Sequence, residues 1–244
     1  MMKKRLFAML AMLALVIICA AVAVNANTSG STPVAFNETT DKCPCCDQIV
    51  TQWTTLPAIT SSTTANKNLD AGHYIVEEDM DFSSFSYYYN VTGAKKVVIL
   101  FKAILTAPDG KNAFRFGLTG TNTGECQAYF LGGQGGKLTG TGAGTTSKTS
   151  NGSLMRIGGY GKLTIDGDLT IELNETVTSG GMGGLFDVIG GEVIMNDGTL
   201  NGLTSTSTVE TYGAVITRYN STTQTKGERR HYQWRRGYIW RCCL

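Results

Sequence analysis

The chain has 244 residues, of which 42% are hydrophobic and only 16% charged, with 30 Gly, 33 Thr and 4 Pro. So little charge excludes a solvated disordered chain and a coiled coil, and Gly and Thr at this level favour strands and turns over helices. The formal net charge is +2, but it is concentrated at the two ends. Between them lies a mildly acidic body, which does not suit nucleic acid or an anionic membrane surface.

Residues 1–26 read as a secretory signal. Lys3, Lys4 and Arg5 supply the positive start, Leu6 to Val24 an uncharged apolar stretch, and Val24-Asn25-Ala26 the small residues for cleavage after Ala26. The competing reading is an uncleaved anchor, since about 19 apolar residues can just span a bilayer. The run of small residues from Ala20 to Ala26 favours cleavage. Ile18 before Cys19 argues against lipidation. The expectation is a secreted or cell-surface protein without stable membrane insertion.

Residues 27–68 are rich in Thr, Ser and Asn and predict an exposed linker. Within it stands Cys43-Pro44-Cys45-Cys46. The Cys43 to Cys46 spacing is half of a zinc knuckle, and no second pair follows at knuckle distance. In an oxidising compartment a local Cys43–Cys46 disulfide is the expectation, with Cys43 and Cys46 as metal ligands the alternative.

From residue 69 to 217 the chain repeats itself. Leu131-Gly132-Gly133-Gln134-Gly135-Gly136-Lys137-Leu138-Thr139 recurs as Ile157-Gly158-Gly159-Tyr160-Gly161-Lys162-Leu163-Thr164, and again, shortened, as Ile189-Gly190-Gly191-Glu192-Val193-Ile194. Aligned on the following aliphatic residue (Leu118, Leu138, Leu163, Val193, Val215), the units run 20 to 30 residues. Each holds short strands of period two, such as Leu163-Thr164-Ile165, so each strand has one buried face. Gly-Gly and Asp-Gly supply corners. Units this short cannot cover their own apolar face and must stack on one another. The expectation is an all-β fold, a right-handed parallel β-helix (β-solenoid), preceded by signal peptide and linker. A Gly-Thr-rich antiparallel sandwich is the alternative, but it gives no reason for the recurring glycine motif.

Three stretches carry a family resemblance: Leu69 to Val76 with Asp79-Met80-Asp81, Lys95 to Thr106 with Gly110 to Phe116, and Gly191 to Leu200. Together they resemble right-handed β-helix surface proteins of gut Firmicutes. The resemblance implies a secreted fold of the pectin-lyase-like superfamily, commonly within large adhesin-like proteins.

Residues 218–244 form a basic aromatic tail in which His, Trp, Tyr and Arg replace the earlier glycines. Shifting the frame by one base within His231 to Cys243 gives Ile/Thr, Ile/Thr, Asn/Ser and Gly, which looks like a further rung, so the expectation is that the tail is out of frame. The nucleotide sequence read in three frames tests this. If the tail is genuine, it suits single-stranded nucleic acid or an anionic membrane, a poor match for an exported acidic solenoid.

Catalysis on such a fold needs clustered carboxylates with a basic partner. Asp166, Asp168 and Asp197 are the candidates, although Asp166 and Asp168 flank Gly167 and Asp197 precedes Gly198, so turn roles compete. Asp187 is equally ambiguous. His73 reads as structural, and no β-roll calcium motif or nucleotide loop survives inspection. The sequence therefore predicts a non-catalytic, adhesin-like surface protein that needs no cofactor and meets glycans or host or cell-surface components, not nucleic acid. A polysaccharide lyase or glycoside hydrolase is the alternative.

Overall fold

The structure is a computed structural model that describes residues 32–109, 111–117, 125–140, 153–173, 176–177, 185–188, 191–201, 204–205, 216–218 and 238–241. Residues 1–26, read as a secretory signal, and most of the basic tail lie outside the described residues. In chain order the strands are β1 (Thr54–Thr55), β2 (Lys67–Asn68), β3 (Gly72–Val76), β4 (Met80–Asp81), β5 (Tyr89–Val91), β6 (Lys96–Phe101) and β7 (Ile104–Thr106). They continue as β8 (Phe114–Phe116), β9 (Cys126–Gly132), β10 (Lys137–Gly140), β11 (Met155–Ile157), β12 (Gly161–Gly167), β13 (Thr170–Leu173) and β14 (Thr176–Val177). The last are β15 (Phe186–Val188), β16 (Glu192–Met195), β17 (Thr199–Asn201), β18 (Thr204–Ser205), β19 (Ile216–Arg218) and β20 (Tyr238–Arg241). Among the described residues there is no helix.

Three sheets hold nearly all of these strands. The first is ordered β1-β3-β6-β9-β12-β16-β20, the second β17-β13-β10-β7-β4 and the third β19-β15-β11-β8-β5-β2, while β14 and β18 form a separate pair. The chain visits the third, first and second sheets in turn, and each return lays a strand parallel to the one before. Strands this short hold together because the inward positions stack apolar side chain on apolar side chain from rung to rung. In the second sheet Leu105, Leu138, Ile171 and Leu200 form one column, and in the third Phe116, Ile157 and Val188 form another. An aromatic group fills the centre: Phe114 stacks on Tyr89 at 5.1 Å and meets Phe130 edge-on at 4.9 Å. The buried Tyr89 hydroxyl donates to the Pro57 carbonyl at 2.7 Å, so no polar atom is stranded there.

The register corrects the repeat read from the glycines. Leu138 pairs with Leu105 and Ile171, whereas Leu163 pairs with Ala128 and Val193. The two glycine motifs therefore turn different corners, one from the first sheet to the second and the other from the third to the first. The same chemistry recurs because both corners press backbone against backbone. A Cβ on Gly132 would lie 2.0 Å from the Leu169 nitrogen, and one on Gly161 would lie 2.8 Å from the Phe116 carbonyl oxygen. Measured along the column Tyr74, Ile99, Phe130, Ile165 and Met195, a rung takes 25, 31, 35 and 30 residues.

The first sheet is buried on both faces. Val97, Ile99 and Phe101 point into the main core, while Val98 and Leu100 join Ile75, Leu131 and Cys43 in a second apolar cluster on the other side. What covers that side is the segment expected to be an exposed linker. It crosses the rungs as a strap: Val34 N–H donates to Asp197 at 3.2 Å, Phe36 N–H to the Gly132 carbonyl at 2.7 Å, and Lys102 pairs with Glu38. Phe36, Val50 and Trp53 pack into the cluster beneath. The chain then enters β1, and Leu56 and Ile59 join the main core. Composition misled here because Thr, Ser and Asn dominate by number, while a few apolar residues at the right positions do the packing. At the other end of the sheet the backbone of β20 runs antiparallel to β16, pairing Met195 with Tyr238 and Glu192 with Arg241.

Candidate functional site

The three carboxylates proposed from sequence serve turns. Asp166 accepts from Gly167 N–H at 2.8 Å and from Asn196 Nδ2 at 3.2 Å. Asp197 accepts from Gly198 N–H at 3.0 Å. Both glycines have positive φ, 73° and 109°, which is what an Asp-Gly corner uses. The register sets Asn196, not Asp197, beside Asp166, so no carboxylate column forms. Asp168 sits in the same turn, its N–H donating to the Gly132 carbonyl at 3.0 Å.

Two other groups of side chains are brought together. The first is an outward column on the third sheet. Asn68, Asn90, Arg115, Arg156 and Asp187 occupy successive rungs at one register position. They face outward because their strand neighbours (Tyr89 and Val91, Phe114 and Phe116, Met155 and Ile157) are buried. Asn90 Nδ2 donates to Asn68 Oδ1 at 3.0 Å. Arg115 donates through Nε to Asn112 at 2.8 Å and through Nη1 to the Tyr88 hydroxyl at 3.0 Å, and its guanidinium lies 4.0 Å from the centre of the Tyr88 ring. Asn112 is itself buried and donates to the Ser153 carbonyl at 2.6 Å, which anchors the assembly. Arg156 Nε lies 3.2 Å from Asp187 Oδ2, within ion-pair reach but without the alignment of a hydrogen bond. Burial raises the Asp187 carboxyl above its ordinary range, an effect that Arg156 and Arg115 only partly offset. Burial likewise lowers the Arg115 guanidinium.

The second group surrounds Cys43-Pro44-Cys45-Cys46. The Cys43 carbonyl accepts from Cys46 N–H at 3.2 Å and from Asp47 N–H at 2.8 Å, closing a turn with Pro44 at its second position. Asp47 leaves that turn with φ 57°, and Cys43 bridges back to Gln48. This knot gathers the three thiols, and the strap lays them against β3. His73 alternates with the core-facing Tyr74 and so points toward them. Cys43 Sγ and Cys45 Sγ lie 3.6 and 3.4 Å from His73 Nε2 and 3.1 Å from each other. The four ligand atoms of Cys43, Cys45, Cys46 and His73 all fall within 4.8 Å of one another. Trp53 meets the imidazole edge-on at 5.6 Å, and Lys96 Nζ donates to the Cys45 carbonyl at 3.0 Å. Burial raises the Cys43 and Cys45 thiols and lowers His73, which favours neutral groups at all three.

Cys43, Cys45, Cys46 and Cys126 are free thiols. The expected Cys43–Cys46 pair thus sits inside a larger set that includes Cys45 and His73. His73 escaped the sequence reading because it lies 28 and 30 residues from Cys45 and Cys43. The one available signal was its position on the non-core face of a strand.

Comparison with family models, curated proteins and solved structures finds no match to the chain.

Proposed function

We propose that the chain is a secreted or cell-surface right-handed parallel β-helix of the pectin-lyase-like kind, whose work is to hold glycans rather than to transform them. The cyclic visiting of three parallel sheets supports the fold, since parallel crossovers strongly prefer the right hand. The observation that carries the binding role is the column Asn68, Asn90, Arg115, Arg156 and Asp187, flanked by Tyr88. Amide and guanidinium groups repeated at strand spacing match the repeated hydroxyl and carboxylate groups of a polysaccharide. With two cations to one anion, the column favours acidic sugars over neutral ones.

Retention of the full chain on carboxylated and neutral glycans tests this. Tyr88→Ala and Arg115→Lys leave the Arg156–Asp187 pair in place, and each should weaken binding to carboxylated glycans about tenfold or more. No retention on any glycan, or unchanged retention in both variants, would overturn the reading.

Asp187 supports a second reading, a polysaccharide lyase or hydrolase. A buried carboxyl with a raised proton affinity beside two guanidiniums is the chemistry of an acid–base group. Release of reducing or unsaturated ends by the wild-type chain but not by Asp187→Asn would favour it.

A further inference from the structure

We propose that Cys43, Cys45, Cys46 and His73 form a structural zinc site that fastens the strap to the first sheet. Three sulfurs and one imidazole nitrogen are a complete donor set for tetrahedral zinc, with no position left for water or substrate. Zinc–sulfur bonds of about 2.3 Å and zinc–nitrogen bonds of about 2.0 Å place ligand atoms about 3.5–3.8 Å apart in a tetrahedron. The sulfur–nitrogen separations of 3.6 and 3.4 Å already have that spacing. The Cys43–Cys45 separation of 3.1 Å must widen by about 0.7 Å to reach the tetrahedral sulfur–sulfur value, and Cys46 Sγ lies within 4.8 Å of the other three ligand atoms. Soft thiolates with one imidazole select zinc over calcium or magnesium, which take oxygen ligands.

The surroundings suit a metal better than a disulfide. A Cys43–Cys46 bond would leave Cys45 and His73 joined only by a weak sulfur–imidazole hydrogen bond at the edge of an apolar cluster. A cation accounts for all four. The outer groups are also present: Trp53 holds the ring from one side, and Lys96 ties the turn to β6 through the Cys45 carbonyl. The location explains what the ion would do. Cys43 is buried in the same cluster as Ile75, Val98, Leu100 and Leu131. Joining the turn to His73 therefore locks the covering segment over apolar surface that would otherwise face water. The strap crosses the rungs along this face, and here the metal would hold it in place.

The test uses the full-length chain, purified reduced and under nitrogen, with zinc content and cobalt(II) spectra as readouts. One zinc per folded chain is expected, and cobalt should give sulfur-to-metal charge transfer with the intense visible bands of a tetrahedral site. Cys46→Ser and His73→Ala should each weaken zinc binding at least about 100-fold, beyond the 10- to 100-fold typical of losing an outer partner. His73→Cys should restore binding with a shifted, all-sulfur cobalt spectrum, and it carries the test should His73→Ala fail to fold. Cys242→Ser with Cys243→Ser should leave zinc binding unchanged. A folded, reduced chain that takes up no zinc would overturn the proposal. So would undiminished binding in both Cys46→Ser and His73→Ala, or a Cys43–Cys46 disulfide that persists in the exported protein when zinc is supplied.

Discussion

Arg156→Ala probes the outward column most directly, because it leaves Asp187 buried beside one cation instead of two. The Arg156 and Asp187 side chains are 22% and 9% exposed, and their charged atoms lie 3.2 Å apart. Removing one member of a buried pair costs about 3–5 kcal/mol, because the remaining charge is stranded. Arg115 still acts on Asp187 from the neighbouring rung, so the lower end, about 3 kcal/mol, is expected at neutral pH. For a chain of this length that lowers Tm by about 6–12 °C.

The sign with pH follows from the direction of the Asp187 shift. Its carboxyl is raised in the folded protein, chiefly by burial, so the folded state prefers the protonated form. The native contribution is therefore greatest below the unfolded value of about 3.9 and falls as pH rises through the folded value. Deleting Arg156 removes an interaction that lowers the folded value, so it raises that value further and deepens the loss at neutral pH. At pH about 3 or below, where Asp187 is largely neutral in either state, the loss should shrink to that of the missing packing. Urea unfolding of wild type and variant at both pH values checks this, with Arg156→Leu/Asp187→Leu expected near wild type. A neutral-pH loss under about 0.5 kcal/mol, or equal losses at the two pH values, would refute the assignment of a stranded buried charge.

Other expectations concern the stack and its corners. Phe114→Ala should cost about 3–5 kcal/mol in urea unfolding, because the ring is fully buried against Tyr89, Phe101, Phe116 and Phe130. A loss near 1 kcal/mol would mean that the stack can collapse around the gap. Gly132→Ala should be far more damaging than Gly135→Ala. The first Cβ would strike the Leu169 backbone at 2.0 Å, whereas the second would meet nothing nearer than 3.9 Å. At Gly135 the cost is the left-handed φ of 81°, about 1–2 kcal/mol. Equal stabilities would contradict the close approach at the Gly132 corner.

Much of the fold was written locally. Alternation in Leu163-Thr164-Ile165 and in Phe114-Arg115-Phe116 already separates a buried face from an exposed one, because successive strand residues point in opposite directions. Glycine and threonine density disfavours helices for equally local reasons, and the described residues contain none. Lys96-Val97-Val98-Ile99-Leu100-Phe101 carried a further message, since an unbroken apolar run belongs to a strand covered on both faces. Followed through, that run asks for a cover, and the covering strap between residues 34 and 53 is the answer.

Pairing and assembly were decided by tertiary structure. Gly-Gly corners look alike in sequence wherever backbone must approach backbone, so they could not tell the corner before Leu138 from the corner before Leu163. Only the packing of Leu105 over Leu138 and of Ala128 over Leu163 distinguishes them. The outward column has the same character. Arg115, Arg156 and Asp187 stand in unrelated sequence neighbourhoods and become neighbours because each is the middle residue of a three-residue strand in one sheet. The thiol group shows the division most sharply. The Cys-Pro-Cys-Cys turn is local chemistry and legible in the chain, but its fourth member is not. His73 reaches the thiols only because the strap folds back over β3, and a ligand set closed by chain reversal leaves no spacing to read.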